Sequence, residues 1–207
     1  MIRLYTPYGT EHLNWTVFDP GATGSFTTPW PGTWRVVVGT RDLSVGSATM
    51  WLSEQVDGGA IAVGGASVGV TLARPGQAVR LGFDGTAGQR LGLGFTGISG
   101  LTYPLIGLVD PSGREQSLGG GEESDLPALT AAGRHELVLS APRAGALTVW
   151  LSADLDAGAL AIGAPVPVSL TRPGQNIRLR FDGTAGQRLS LGFGGKTLEA
   201  YLRTEVS

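Results

Sequence analysis

Residues 74–95 and 172–193 spell nearly the same sequence, Arg-Pro-Gly-Gln at the start and Leu-Gly-Phe at the end. They differ only at Ala78/Asn176, Val79/Ile177, Gly82/Arg180 and Gly92/Ser190. Self-similarity at a fixed spacing says that a chain is assembled from copies of one unit, and this constrains the fold more than any short motif. What recurs in both copies is scaffold; what occurs once is the better candidate for function.

Inside each copy the residues alternate. Ile177, Leu179 and Phe181 are interleaved with Arg178 and Arg180, and Leu189, Leu191 and Phe193 with Ser190 and Gly192. A period of two places one set on a core face and the other toward solvent, which is strand behaviour. Between the runs stands Asp-Gly-Thr-Ala-Gly-Gln (Asp84–Gln89, Asp182–Gln187). Asp-Gly there supplies the backbone angles of a tight reversal, so each copy reads as a hairpin. Arg-Pro-Gly-Gln reads as a further turn, with Pro and Gly at its two central positions. The 34 glycines and 12 prolines fit a turn-rich folded protein, because a hydrophobic content of 42% argues against disorder.

Weaker repeats extend the frame. Ala48–Ser53 matches Leu147–Ser152, Thr6–Gly9 matches Asp110–Gly113, and Pro31–Val38 matches Ala132–Leu139. No segment shows helical periodicity, and short strands with regular turns predict an all-β sandwich. If the Trp-Leu-Ser strand ends a unit, residues 54–152 form one complete antiparallel β-sandwich unit. Residues 1–53 then correspond to the second half of a unit and residues 153–207 to the first half. An isolated half would leave an apolar face and free strand edges. The halves are therefore expected to close on each other within one chain, to close between chains, or to belong to a window of a longer array. Head-to-tail pairing that does not close on itself gives a filament.

These copies resemble the bacterial pre-peptidase C-terminal (PPC-like) β-sandwich domains found in tandem in large secreted repeat proteins. The resemblance rests on the Phe-Asp-Gly-Thr-Ala-Gly-Gln-Arg motif between strands (Phe83–Arg90, Phe181–Arg188), the Asp110–Gly113 turn and the Gly133 strand start. It implies jelly-roll-like sandwich units of about a hundred residues, acting as accessory modules for binding, spacing or secretion, without catalysis, outside the cell or at its surface. Some relatives bind calcium through acidic loops. Here Asp84 and Asp182 sit in ordinary turns and no dense Asp/Asn cluster stands beside them, so no metal is expected.

Other chemistry has little support. With no cysteine, disulfides and thiolate metal sites are excluded. A formal charge of -2 gives no electrostatic case for nucleic acid, and no apolar run is long enough to span a bilayer as a helix. No signal peptide is visible at the N-terminus. His12 and His135 do not recur, His135 aligns with Trp34, and no nucleophile elbow accompanies them. Glu122–Asp125 reads as a solvated loop tip. No cofactor is expected, and the chain is read as a non-enzyme.

The aromatics say more. Trp51 and Trp150 recur but share the polar face of their strands, so a loop, a neighbouring domain or a partner is expected to cover them. Trp15 and Trp30 have no aromatic counterpart in the whole unit. The reading that follows is a self-associating structural subunit whose partners are copies of itself or neighbouring repeats. Ile2, Leu4 and Tyr5 are expected to face Leu198, Tyr201, Leu202 and Val206 at the assembly interface, backed by Trp15, Trp30 and Trp34. The alternatives are a carbohydrate- or surface-binding accessory module that stacks a glycan on Trp15 and Trp30, and a two-domain monomer closed within one chain.

Overall fold

The computed structural model describes residues 1–16, 25–40, 45–121 and 123–195, and every regular element among them is a strand. First come β1 (Ile2–Tyr5), β2 (Glu11–Trp15) and β3 (Arg35–Val38), an antiparallel sheet in the order β2-β1-β3. Next come β4 (Val56–Ala60), β5 (Val68–Leu72), β6 (Ala78–Gly85), β7 (Leu91–Ser99), β8 (Leu105–Val109), β9 (Glu115–Gly120), β10 (Glu123–Asp125), β11 (Gly133–Ser140) and β12 (Gly145–Ala153). They make two sheets, β4-β6-β11-β8-β9 and β10-β7-β12-β5. Last, β13 (Leu155–Ala159) and β14 (Ile177–Arg180) pair in parallel.

The two central sheets form a sandwich whose core follows from the alternation. Val79, Leu81 and Phe83 of β6, Leu137 and Leu139 of β11, and Leu147, Val149 and Leu151 of β12 are all buried in one cluster with Leu91 and Leu93 of β7. Between the β12 core residues, Thr148 and Trp150 point the other way and are only half-buried.

One local expectation is corrected. β6 and β7 are not a hairpin: β6 pairs with β4 and β11, and β7 with β10 and β12. The link between them crosses from one sheet to the other, so both apolar faces meet in the core. The reversal also lies three residues later than Asp-Gly suggests. Gln89 N–H donates to the Thr86 carbonyl at 3.0 Å, and the positive φ of 78° falls on Gly88, as a type II turn requires at its third residue. The second copy repeats it with Gly186 at 82°.

Topology also fixes where the chain joins the sandwich. Val56 lies beside Val79 at the start of β6, whereas Ala153 lies beside Leu91, just past the turn that ends β6. The connections to the N-terminal and C-terminal strands therefore leave from opposite ends, separated by roughly 20 Å of strand.

Candidate functional site

The repeated sequence occurs in two environments. In the first copy Phe83, Leu93 and Phe95 are 2%, 0% and 8% exposed; their counterparts Phe181, Leu191 and Phe193 are 49%, 59% and 60% exposed. The first copy forms β6 and β7, while in the second only residues 177–180 are strand and residues 181–194 are not. Near-identical sequences have the same local propensity, so the difference lies in what packs against them. β6 is flanked by β11, and β7 by β12. β14 pairs only with β13 among the described residues.

The N-terminal sheet is built like β8, β9 and β11. β1 pairs with β3 as Tyr5↔Arg35 and Leu4↔Val36; β8 pairs with β11 as Val109↔Glu136 and Leu108↔Leu137. Each pair is one set of aligned residues. The turn details agree too: Gly9 N–H donates to the Thr6 carbonyl at 3.0 Å and Gly113 N–H to the Asp110 carbonyl at 2.9 Å. At Asp110 the Ser112 hydroxyl and the Arg114 backbone N–H hold the carboxyl below its ordinary range. Gly32, at φ 131°, packs on Pro7 as Gly133, at φ 127°, packs on Pro111.

This sheet also has an open side. Val36, Val37 and Val38 of β3 are exposed, whereas Leu137, Val138 and Leu139 are buried. Met50, Trp51 and Leu52 are exposed, and Leu52 at 79% contrasts with its counterpart Leu151 at 0%. Residues 45–55 are not in a strand, although their counterparts form β12, held between β5 and β7.

The substitutions between copies are informative here. In the sandwich Gly82 needs no side chain because the Arg134 guanidinium fills the space a Cβ would occupy. In the other strands Arg180 stands at the glycine position and Thr33 at the arginine position. Large and small have changed sides between β14 and the segment leading into β3.

The C-terminal segment is tied to the sandwich by its Arg-Pro-Gly turn. The Arg172 guanidinium lies over the Trp150 ring, 5.2 Å from its centroid, and also donates to the Gly65 carbonyl at 2.5 Å. Trp150 Nε1–H donates to Thr96 Oγ1 at 3.0 Å, and Ser152 Oγ–H to the Pro173 carbonyl at 3.0 Å. Asn176 Nδ2 donates to Asp125 Oδ1 at 2.6 Å and to Asp154 Oδ1 at 3.2 Å. Gly92 and Gly94 must be glycine at this contact, since a Cβ would overlap Gly174 and Pro173. The expected cover over the polar-face Trp150 is thus this neighbouring turn.

The residues expected at the interface are distributed as follows. Leu4 is buried, and Ile2 and Tyr5 are half-buried, in β1, the middle strand of the N-terminal sheet. Both β2 and β3 are edge strands among the described residues, and β3 carries the exposed valines Val36, Val37 and Val38. Trp15 is half-buried against Phe26 at 6.5 Å. Trp30 and Trp34 stack at 6.5 Å, with Trp34 Nε1–H donating to the Trp30 carbonyl at 3.1 Å. Leu198, Tyr201, Leu202 and Val206 lie outside the described residues. Their signal was apolar content, whereas the valines would have been found by transferring strand pairs from residues 54–152 onto their counterparts.

His135, aligned with Trp34, is buried and stacked on Phe83 at 5.3 Å, with Nδ1 3.0 Å from the Gly133 carbonyl. It borders a small cavity of about 70 Å³ with Asp110, Arg114, Gln116 and Thr130. Among the described residues no three His, Asp or Glu side chains are grouped to hold a metal ion. No helix there is long and apolar enough to cross a membrane.

No protein-family model matches the chain, and no curated protein does. Among solved structures the chain is similar to the pre-peptidase C-terminal domain of a collagenase from Bacillus anthracis. The identity is 9% and the TM-score 0.38, over 48% of this chain and 98% of that domain. It is also similar to PliG, a periplasmic inhibitor of g-type lysozyme, from Aeromonas hydrophila, at 15% identity and TM-score 0.31, over 46% of this chain and 99% of that one. The PliG of Salmonella Typhimurium gives 14% and 0.31, over 45% and 98%.

Proposed function

We propose that the chain is a non-enzymatic structural subunit whose two open half units, residues 1–53 and 153–207, complete each other between copies and build a head-to-tail assembly. The observation that carries this reading is the pair of environments of one sequence: Phe83, Leu93 and Phe95 buried, Phe181, Leu191 and Phe193 exposed. Each fully buried side chain of this kind is worth roughly 1.5–3 kcal/mol.

The faces fit one another in register. The β6–β11 pairs His135↔Phe83 and Leu137↔Leu81 become Trp34↔Phe181 and Val36↔Leu179. The β7–β12 pair Leu151↔Leu93 becomes Leu52↔Leu191. Residues 46–54 then form the strand between 166–170 and 189–193, as β12 lies between β5 and β7, so backbone hydrogen bonds supply affinity and alternate side chains set register. The exchange of Gly82 and Arg134 for Arg180 and Thr33 is what two surfaces matched to each other would carry. A second copy is favoured over closure within the chain because the two halves leave the central sandwich at opposite ends. Its place is outside the cell or at the cell surface, the setting implied by the motif resemblance.

The test is the mass of the protein in solution. Sedimentation velocity of the full chain is expected to show species that grow with concentration. In the sandwich Glu136 and Arg80 form an ion pair at 2.6 Å, but Arg35 replaces the glutamate and its register places it opposite Arg180. Like charges directly across a strand pair are unfavourable, so Arg35→Glu is expected to tighten association about fivefold. A chain that stays monomeric at every concentration, as wild type and as Arg35→Glu, overturns the reading.

A second reading has one observation in its favour. Tyr8 and Trp30 are exposed and meet edge to face at 6.2 Å, at positions where residues 54–152 have Ser112 and Ala131. Tyr8 lies outside the proposed seam, Trp30 borders it through its stacking on Trp34, and together they offer an aromatic platform to a sugar ring. Tyr8→Ala is expected to abolish retention on a glycan array and to leave assembly intact; a wild-type chain that no glycan retains removes this reading.

A further inference from the structure

We infer that the Arg74–Gly76 turn is a second contact, made only after the seam closes: it docks on Trp51 as Arg172–Gly174 docks on Trp150. This rests on the seam reading above.

The two turns are the same object. Gln77 Oε1 accepts from Ala73 N–H at 2.7 Å, and Gln175 Oε1 accepts from Thr171 N–H at 3.1 Å. Gly76 and Gly174 have φ of 74° and 69°. Their platforms match as well, Met50-Trp51-Leu52-Ser53 against Val149-Trp150-Leu151-Ser152. Yet only one is occupied. Arg172 covers Trp150, whereas Arg74 is exposed and Trp51 is half exposed.

Ser53 points to the missing contact. Ser152 Oγ donates to the Pro173 carbonyl and accepts from Arg172 Nε at 3.3 Å. Ser53 Oγ is shielded from solvent and has no hydrogen-bond partner, which is costly for a hydroxyl. The Pro75 carbonyl and the Arg74 guanidinium are the groups that would satisfy it. The platform is unmade because residues 45–55 are not in a strand. Insertion between 166–170 and 189–193 of a second copy would straighten them and present Trp51 and Ser53 on one face, toward their own chain's Arg74. Seam closure therefore converts the connection at residue 54 from a free tether into a clamp.

The clamp is the looser of two joints. At the Gly92 position, where a Cβ would overlap the Gly174 carbonyl, the completed unit carries Ser190. Ala78 replaces Asn176, so the hydrogen bonds to Asp125 and Asp154 have no equivalent. Stiff and pliant joints alternate along the assembly.

The test uses the full chain, with sedimentation velocity for affinity and negative-stain electron microscopy for the straightness of the assemblies. Arg74→Ala is expected to weaken association about tenfold and to give visibly more bent assemblies; Ser190→Gly is expected to straighten them. Unchanged affinity and shape in Arg74→Ala overturn the clamp and leave the seam standing. Complete loss of assembly in Arg74→Ala overturns the proposed order, seam first and clamp second. A wild-type chain that never assembles overturns the seam reading itself.

Discussion

Leu191→Asp is expected to leave the folded chain as stable as wild type and to abolish its self-association, while the same replacement at Leu93 unfolds it. The two leucines occupy one position of the repeat, but Leu93 has no exposure and Leu191 is 59% exposed. A carboxylate at Leu93 would sit between the sheets with no partner, at a cost of about 4 kcal/mol or more. At Leu191 it stands in water, and in the proposed seam it would be buried against Leu52. The penalty falls on association and raises the dissociation constant roughly a thousandfold. Leu52→Asp is expected to act in the same way from the other side. Thermal melting and sedimentation velocity on the three variants check this; equal melting losses for Leu93→Asp and Leu191→Asp would mean that the second copy is already packed in the isolated chain.

The other large effect concerns the central sandwich alone. Leu137 has no exposure, pairs with Leu81 on one side and Leu108 on the other, and belongs to the core cluster that holds Leu93 and Val149. Leu137→Ala is expected to cost about 2–5 kcal/mol through lost burial and the cavity left behind, lowering the melting temperature by roughly 10 °C or more. Its counterpart Val36→Ala is expected to change the melting of the unassembled chain hardly at all, because Val36 is exposed there. Chemical denaturation of the two variants measures both; a loss below about 1 kcal/mol at Leu137 would show that the row Leu81–Leu137–Leu108 is not the centre of the core.

Alternation around Leu81, Phe83, Leu91 and Leu93 was enough to call strands and to assign their buried faces. It could not tell whether β7 turns back to pair with β6 or crosses to the other sheet, since both arrangements bury the same side chains. The Asp84-Gly85 signal misplaces the turn because Gly88, three residues on, supplies the same conformational freedom, and a dipeptide rule cannot rank two glycines. The interface was read from apolar content, which drew attention to Ile2, Leu4 and Tyr5. In the structure that strand has a neighbour on each side, and the edges of the sheet are β2 and β3. Which strand of a sheet lies outermost is a property of long-range pairing, which no local pattern encodes. Trp150 was legible as a ring on a polar face needing cover, but its cover, Arg172, lies 22 positions away in the sequence.

Two nearly identical strand pairs in one chain invite exchange. The stretch bearing Arg180 could displace β6 from a finished sandwich, its own or a neighbour's, and scramble any ordered polymer. The glycine at position 82 works against this: the Arg134 guanidinium already occupies the space beside it, so an intruding strand would bring a second guanidinium into the same volume and the Arg134 side chain would have to swing away. Thr33, at the arginine position of the N-terminal strands, has no guanidinium to displace. In the proposed assembly this swap would make the finished sandwich the more crowded site for that strand, partly offsetting the repulsion between Arg35 and Arg180 at the seam.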